Sequence, residues 1–264
     1  MEPTAKLLTI SLVSHGQWEL MRPLIGQLSA IAGELPLQVI VTENLREQRG
    51  ADDGLAGLDV RYIQNTEPKG FGANHNAAFA YCNTPYFCVV NPDVRLIKNP
   101  FPALLAQVRA RPGVVAPRVV AEDGTLEDSA RKVPRPSILL QRALARLMKR
   151  RLPPDYTSEG TIPVDWAAGM FLLFDAQVFK RLGGFDDRYH LYCEDVDVCL
   201  RTWLNGGTVS WANEAIVMHD ARRDSHRRFR YLRWHLASML RLFTSSAYWR
   251  FRFGNVAARQ MNNY

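Results

Sequence analysis

Short apolar runs and longer stretches of helical spacing take turns through the first 110 residues of this chain, and that alternation limits its fold more than any other feature. Residues 7–14 form a near-continuous apolar run, as a strand buried on both faces requires. A helical pattern covers 18–31 and stops at Gly33. Strand-like runs follow at 37–41, 59–63 and 86–90, with helical patterns at 71–81 and at 102–109, the latter closed by Pro112. Strands separated by helices predict an α/β fold, with a mostly parallel sheet covered by helices on both faces. In such sheets ligands lie outside the carboxyl ends of the strands. The residues to inspect are therefore Ser14-His15-Gly16, Thr42-Glu43-Asn44, Asn65-Thr66 and Asn91-Pro92-Asp93.

The second half reads differently. Residues 121–136 are polar and broken by proline, which predicts a loop or hairpin. A helix is expected over 137–151, with Leu140, Leu144 and Leu147 on one side and Arg142, Arg146 and Lys149 on another. A strand at 168–174, a short helix at 176–182 ending at Gly183-Gly184, and a helix at 194–205 closed by Gly206-Gly207 come next. Short strands fit 208–211 and 215–218, and a last helix runs from about 227 to 243. There is no internal repeat or low-complexity tract, so one domain is the economical reading.

Charge is unevenly spread. Residues 131–151 hold eight Lys/Arg and no acid, and residues 222–252 hold nine Arg against Asp224. Each stretch contributes +8, so with a net charge of +7 the rest of the chain carries −9. A mildly acidic body with two basic segments points to an anionic partner: a membrane surface, a phosphate-bearing substrate or nucleic acid. No apolar run approaches the roughly 18–20 residues that span a bilayer, and the start of the chain reads as a strand and not as a signal peptide. The four cysteines fall in two pairs of spacing six, too wide for the usual zinc pattern, and fit reduced thiols in a cytosolic protein.

Several clusters are able to carry chemistry. A carboxylate at Asp93, just after a strand, suits a hard cation that bridges phosphates, although an Asn-Pro turn needs no such purpose. Gly70-Phe71-Gly72 opens a helix, where backbone N–H groups favour phosphate, although tight turns use glycine for local reasons too. The densest cluster is Asp186-Asp187 followed by Glu194-Asp195-Val196-Asp197. Acids at a helix N-terminus are favoured by its dipole. Five carboxylates within twelve residues repel one another beyond what that favours, which points to a site that handles a proton or a cation. A general base must stay ionised near neutral pH and reach a hydroxyl, and an aspartate at a helix N-terminus meets both conditions. No G-x-S-x-G or Walker loop occurs.

With these residues in place, the chain resembles the family 2 glycosyltransferases of the GT-A fold, from Thr9 to about Phe243. The resemblance rests on Val13-Ser14-His15, Gly70-Phe71-Gly72, Asn91-Pro92-Asp93, Ala168-Gly169, Gly183-Gly184-Phe185-Asp186, the run from Glu194 to Arg201, and His219. Four further segments are similar to the rhamnosyltransferases of bacterial O-antigen assembly: Ser129-x-Arg131-Lys132-x-Pro134, Val164-Asp165-Trp166-x-Ala168-Gly169, Tyr192-Cys193-Glu194-Asp195 and Arg233-Trp234-His235-Leu236.

What the resemblance implies is specific. The GT-A domain spans 1–264, with a nucleotide-sugar-binding half (1–120), an acceptor and catalytic half (121–220) and a basic helical tail (221–264). L-rhamnose would move from dTDP-β-L-rhamnose onto N-acetylglucosamine diphospho-undecaprenol, with inversion. Asp195 matches the base, and Glu43 the nucleoside-binding carboxylate. Asp93 matches the last acid of the D-x-D metal motif, and His219 a residue that helps hold Mg²⁺ or Mn²⁺. Ser14, His15, Gly70, Phe71, Gly72, Asn91, Trp166, Gly169 and Glu194 fall on positions that line the substrates. Asn91 replaces the first acid of D-x-D, so metal binding is expected to lean on the diphosphate. A lipid-linked acceptor also places the enzyme on the cytoplasmic membrane face, with the arginine-rich last helix against the inner leaflet. A UDP-sugar donor is the alternative within this fold. A basic nucleic-acid-binding protein is the alternative outside it, disfavoured by the carboxylate cluster and by the lack of any known binding module.

Overall fold

The computed structural model describes residues 5–46, 57–148, 150, 153–219 and 228–254. The expected alternation is present. In chain order the first half holds β1 (Leu8–Ser14), α1 (Trp18–Ala32), β2 (Leu37–Glu43), β3 (Val60–Gln64), α2 (Phe71–Phe79), β4 (Tyr86–Val90), β5 (Val94–Leu96), α3 (Phe101–Ala110) and β6 (Gly113–Val120). The second half holds β7 (Ala130–Arg131), α4 (Pro136–Leu147), β8 (Ile162–Pro163), β9 (Trp166–Ala167), β10 (Phe171–Asp175), α5 (Ala176–Leu182), α6 (Glu194–Leu204), β11 (Thr208–His219), α7 (Arg228–Thr244) and α8 (Ser246–Phe253).

The main sheet runs β3-β2-β1-β4-β10-β6-β11-β5, with β8 added on β11. Strands β1, β2, β3 and β4 are parallel, β6 is parallel to β11, and β10, β5 and β8 run against their neighbours. Alternate residues of each strand feed opposite cores. Leu8, Ile10, Leu12, Cys88 and Val90 join α1 and α3 on one face. Phe87 and Val89 join α2, α5, α6, α7 and α8 on the other. All four cysteines are free.

Two expectations need correction. The strand expected over 168–174 starts later, as β10 at Phe171, and a turn at 168–170 parts it from β9 in a second, two-stranded sheet, which leaves the Gly169 N–H outside the main sheet. The two short strands expected after Gly207 are one, β11, with a bulge between Ala212 and Ile216 that lets it stay beside β6. The basic helices pack through residues other than their regularly spaced leucines. In α4, Leu144 and Leu147 face solvent while Arg142 turns inward to Asp128 and Asp155, because paired guanidinium nitrogens can be enclosed. In α7, Leu232, Leu236 and Leu240 are exposed; packing comes instead from Ser238, Met239 and Leu242. The Ser238 hydroxyl donates to the Leu191 carbonyl at 2.8 Å. Leu140, Arg146 and Phe229 have no described side chain, and Lys149, Arg227 and residues 255–264 lie outside the described residues.

Candidate active site

At the carboxyl ends of β1, β2 and β3 the side chains are fastened to one another. Asn44 donates to the Lys69 carbonyl at 2.9 Å and accepts from the Lys69 N–H at 2.7 Å. Asn65 donates to Asn44 at 2.8 Å and to Asn74 at 2.6 Å. The same Asn44 amide donates to His15 Nδ1 at 3.0 Å, so the His15 proton sits on Nε2. Ser14 is buried and accepts the Gln17 N–H at 3.1 Å. Glu43, also buried, receives Gln64 at 3.4 Å. A buried polar group is costly unless hydrogen-bonded, so this lattice holds its members in fixed places.

Gly70-Phe71-Gly72 starts α2 under this lattice. The two glycines are required by close approach of the chain to itself. A Cβ on Gly70 would stand 2.5 Å from the His190 carbonyl oxygen, and one on Gly72 2.7 Å from the Phe185 Cβ. Between them, the Phe71 N–H donates to the His190 carbonyl at 2.9 Å, and the Phe71 ring meets Phe185 edge to face. Below, His75 is buried against the Ser11 hydroxyl at 2.8 Å, and burial holds its pKa down to about 3, so it is a neutral structural imidazole.

The β4–β5 turn carries Asn91 and Asp93. Antiparallel pairing of β5 with β11 sets His219 opposite Val94, next to Asp93. His219 Nε2 lies 3.1 Å from Asp93 Oδ2 and its Nδ1 3.0 Å from Glu127 Oε2. Burial pulls the imidazole pKa down, but the Asp93 hydrogen bond and the charges of Asp93 and Glu127 outweigh it, so the net shift is upward. Asp93 Oδ1 is buried with no hydrogen-bond partner, an unused oxygen of the hard type that Mg²⁺ or Mn²⁺ takes. Among the described residues no three His, Cys, Asp or Glu side chains surround one point. The chain thus offers a partial donor set, and a cation there must draw further oxygens from a ligand such as a diphosphate.

Asp195 lies in the first turn of α6. The two residues before that helix, Tyr192 and Cys193, have φ of 72° and 65°, in the left-handed region that costs non-glycine residues of order 1 kcal/mol or more. That bend directs the Asp195 carboxylate to the turn after β9. Its Oδ2 accepts the Gly169 N–H at 3.0 Å and its Oδ1 accepts its neighbour Val196's N–H at 2.8 Å. Burial raises the Asp195 pKa, and these two N–H groups and the Arg131 charge oppose it. Beside it Glu194 is also buried, its Oε2 has no partner, and burial together with the Asp195 charge raises its pKa strongly. Asp197, the third acid of the turn, is committed to Arg201 at 2.6 Å.

A cavity of about 570 Å³ opens onto Asp195. Phe71, Asn91, Trp166, Gly169 and Glu194 line it, so it gathers five of the other expected site residues; Ser14, His15, Glu43, Asp93 and His219 lie outside its lining. The structure thus separates the expected residues into a strand-end group and a cavity group that meet at Asn91. Asn44 and Asn65 stand at strand ends that the sequence marked for inspection; sequence reasoning missed Glu127 and Asn74 as site builders, and also His235, which lines the cavity from α7 and packs on Tyr192. Glu127 sits in an aperiodic polar segment, and only its nearness to Ser129-x-Arg131 marks it.

The chain matches the model of "Glycosyl transferase family 2" over residues 25–175, a span that ends before Asp195. It is 30% identical over 245 residues to "Rhamnosyltransferase WbbL" of Escherichia coli (strain K12), covering 88% of this chain and 90% of that one. It is 28% identical over 218 residues to the "N-acetylglucosaminyl-diphospho-decaprenol L-rhamnosyltransferase" of Mycobacterium tuberculosis, covering 72% of this chain and 68% of that protein. Among solved structures, GalNAc-T7 with UDP, GalNAc and Mn²⁺ superposes with a TM-score of 0.63 at 14% identity, covering 83% of this chain but only 44% of that one. The Pyrobaculum calidifontis mannosyltransferase PcManGT with GDP-Man and Mn²⁺ gives 0.58 at 14% identity, covering 97% and 74%. These two likenesses concern the fold, which is that of the GT-A enzymes. The sheet order, the strand-end site and the family match agree, and the chain belongs to glycosyl transferase family 2.

Proposed function

We propose that this protein is an inverting rhamnosyltransferase, moving L-rhamnose from dTDP-β-L-rhamnose to a GlcNAc-diphospho-polyprenol in the synthesis of a cell-surface polysaccharide. The observation that carries the reading is the Asp195 carboxylate, fixed by two N–H donors at the wall of a cavity next to the β4–β5 turn. The names of the relatives from Escherichia coli and Mycobacterium tuberculosis support the sugar and the class of acceptor. In this reading Ser14, His15, Glu43 and the Gly70-Phe71-Gly72 turn hold the nucleotide, and Trp166, Gly169 and Glu194 border the acceptor sugar. Asp195 takes the proton of the attacking hydroxyl as its oxygen bonds to the anomeric carbon. The carbon–oxygen bond to dTDP breaks on the opposite face, so no covalent enzyme intermediate forms. Mg²⁺ or Mn²⁺, held by Asp93 and His219, would supply charge neutralisation for the departing diphosphate. The test is a donor screen on a GlcNAc-diphospho-lipid acceptor. Transfer from dTDP-rhamnose with an α-linked product is expected, and transfer from UDP-sugars in its place would overturn the reading.

We also infer peripheral attachment to the cytoplasmic face of the plasma membrane. No helix among the described residues is long and apolar enough to cross a membrane. Yet α4 exposes Leu144 and Leu147 (81%), with Met148 just after it, α7 exposes Leu232, Leu236 and Leu240 (67%), and α8 exposes Trp249 and Phe253 (72%). Exposed Arg233, Arg241 and Arg250 accompany them. Leucines and aromatics beside arginines suit an anionic interface, where each basic residue contributes on the order of 1 kcal/mol. Co-sedimentation with anionic vesicles that weakens with salt is expected. Equal binding to neutral vesicles would remove the electrostatic part of this inference.

A further inference from the structure

Arg131, Lys132 and Arg142 line the same cavity as Asp195, and their commitments differ. Arg142 is consumed: its terminal nitrogens meet Asp128 at 3.1 Å and Asp155 at 2.7 Å. Arg131 binds Asp128 only through Nε, at 3.0 Å, and among the described residues its two terminal nitrogens make no hydrogen bond. Lys132 has no ion pair or hydrogen bond at its ammonium among the described residues; its nearest ring partner, Tyr156, is 5.9 Å away. The backbone that carries these two cations is, by contrast, tied down on all sides. Arg131 pairs with Trp166 across β7 and β9. The Lys132 N–H donates to Asp155 at 3.0 Å, and its carbonyl accepts Trp166 Nε1 at 2.9 Å. The Val133 N–H donates to Asp165 at 2.7 Å, a carboxylate that also accepts the Tyr156 hydroxyl at 3.0 Å. Among the described residues Arg131, paired at Nε and 5.4 Å from the Trp166 ring centre, keeps its terminal N–H groups unused, and Lys132 keeps its ammonium unused. Fixed stems with such unused donors form a seat prepared for an anion, since the cost of ordering the backbone is met before the ligand arrives.

The anion is a diphosphate ester, and two are at hand in the proposed reaction: that of the donor and that of the acceptor. Placement favours the acceptor. Ser14, Glu43 and Asp93, at the strand ends, lie outside the lining of this cavity, whereas Asp195 borders it. Beyond the cations the lining turns apolar at Ile138, Leu191 and Met239, which suits the first carbons of a prenyl chain. Resting on the function proposed above, we propose that Arg131 and Lys132 seat the diphosphate of the lipid-linked acceptor, and that Ile138 and Met239 border the start of its prenyl chain. Acceptor recognition is then divided along the cavity, with sugar at Asp195 and Trp166, diphosphate at Arg131 and Lys132, and hydrocarbon between α4 and α7.

Farnesyl diphosphate, which has the diphosphate and prenyl parts without the sugar, tests the seat by calorimetry without turnover. Wild-type protein is expected to bind it, and Lys132→Gln and Arg131→Gln each to weaken that binding about tenfold, as loss of a charged hydrogen bond does. Affinity for dTDP should stay within about twofold on the same scale. Arg131→Lys should restore part of the loss. Lys132→Gln, whose side chain holds no structural partner, guards against a folding artefact. No binding by the wild type, or equal weakening of farnesol binding, would overturn the seat. Weakened dTDP binding in its place would assign the two cations to the donor and likewise overturn it. In transfer assays the loss should be larger on a GlcNAc-diphospho-farnesyl acceptor than on phenyl β-GlcNAc, and equal losses would count against the proposal. If farnesyl diphosphate binding behaves as expected but rhamnose is not transferred, the function proposed above fails while the seat stands.

Discussion

The strand-end region and the cavity region solve the problem of placing polar groups in opposite ways. At the ends of β1, β2 and β3, Asn44, Asn65 and Asn74 bond to one another and to the Lys69–Gly70 backbone, so these side chains are held by neutral partners. Around the cavity the groups are charged, and they are held by ion pairs that leave part of the charge unspent, as at Arg131. The first arrangement suits a ligand whose shape and position vary little, such as a nucleotide. The second suits a charged ligand that enters from outside and is released. The lesson is that rigidity in this protein comes from amide networks on one side of Asn91 and from a fastened backbone with free side-chain tips on the other.

The sharpest break between the regions is expected at Asp195. Asp195→Asn should lower transfer by about 10²–10⁴-fold, as loss of a general base does, while dTDP binding persists, because the strand-end group is untouched. Wild-type turnover in that variant would remove the base from the mechanism. Because the active form is deprotonated and burial raises the Asp195 pKa, kcat/KM should fall on acidification at a pH above the ordinary aspartate value of about 3.9. Asp93→Ala probes the other region: metal affinity, read by Mn²⁺ titration of nucleotide binding, should drop at least about tenfold. Unchanged titration curves, or full wild-type activity in excess EDTA, would mean that Asp93 holds no cation.

Two smaller effects sharpen the comparison. Gly70→Ala forces a Cβ to within 2.5 Å of the His190 carbonyl, and overpacking of this kind costs about 1–3 kcal/mol. A denaturant titration should show that loss, and a neutral result would mean that the 185–190 segment yields easily. Leu240→Gln should leave stability within about 0.5 kcal/mol, since the side chain is exposed. It should still reduce binding to anionic vesicles measurably; if it does not, α7 is ordinary surface.

The strand-end region was legible in the sequence because parallel strands advertise themselves as apolar runs and their last residues fall at the ligand edge. Glu43, Asn91 and Asp93 were found that way. The cavity region was legible only in its acids. Its walls come from a turn at 168–170, two-residue strands and helices whose leucines face outward, so hydrophobic periodicity does not tell which residues of α4 and α7 reach the cavity. Arg142 turned inward for reasons of pairing with Asp128 and Asp155, partners in separate polar segments that no spacing rule connects. The bulge in β11 was missed because residues 212–216 break the pattern without ending the strand.

Asp93 and Asp195 stand 102 positions apart in the chain, yet a handful of covalent and hydrogen bonds joins them. Two residues before Asp93, the Asn91 N–H donates to the Met170 carbonyl at 2.9 Å; one residue before Met170, the Gly169 N–H donates to Asp195. The antiparallel strand β10, inserted beside β4, acts in this way as a caliper between the two acids. Its setting is quantised, because slipping β10 by one residue would shift the jaw by about 3.3 Å and turn every side chain to the wrong face. Misplacement of reacting groups by about 1 Å already costs roughly 10²-fold in rate. Intermediate settings of β10 are therefore not open to gradual tuning, and the gap between the two acids is kept or lost with the register of this one strand.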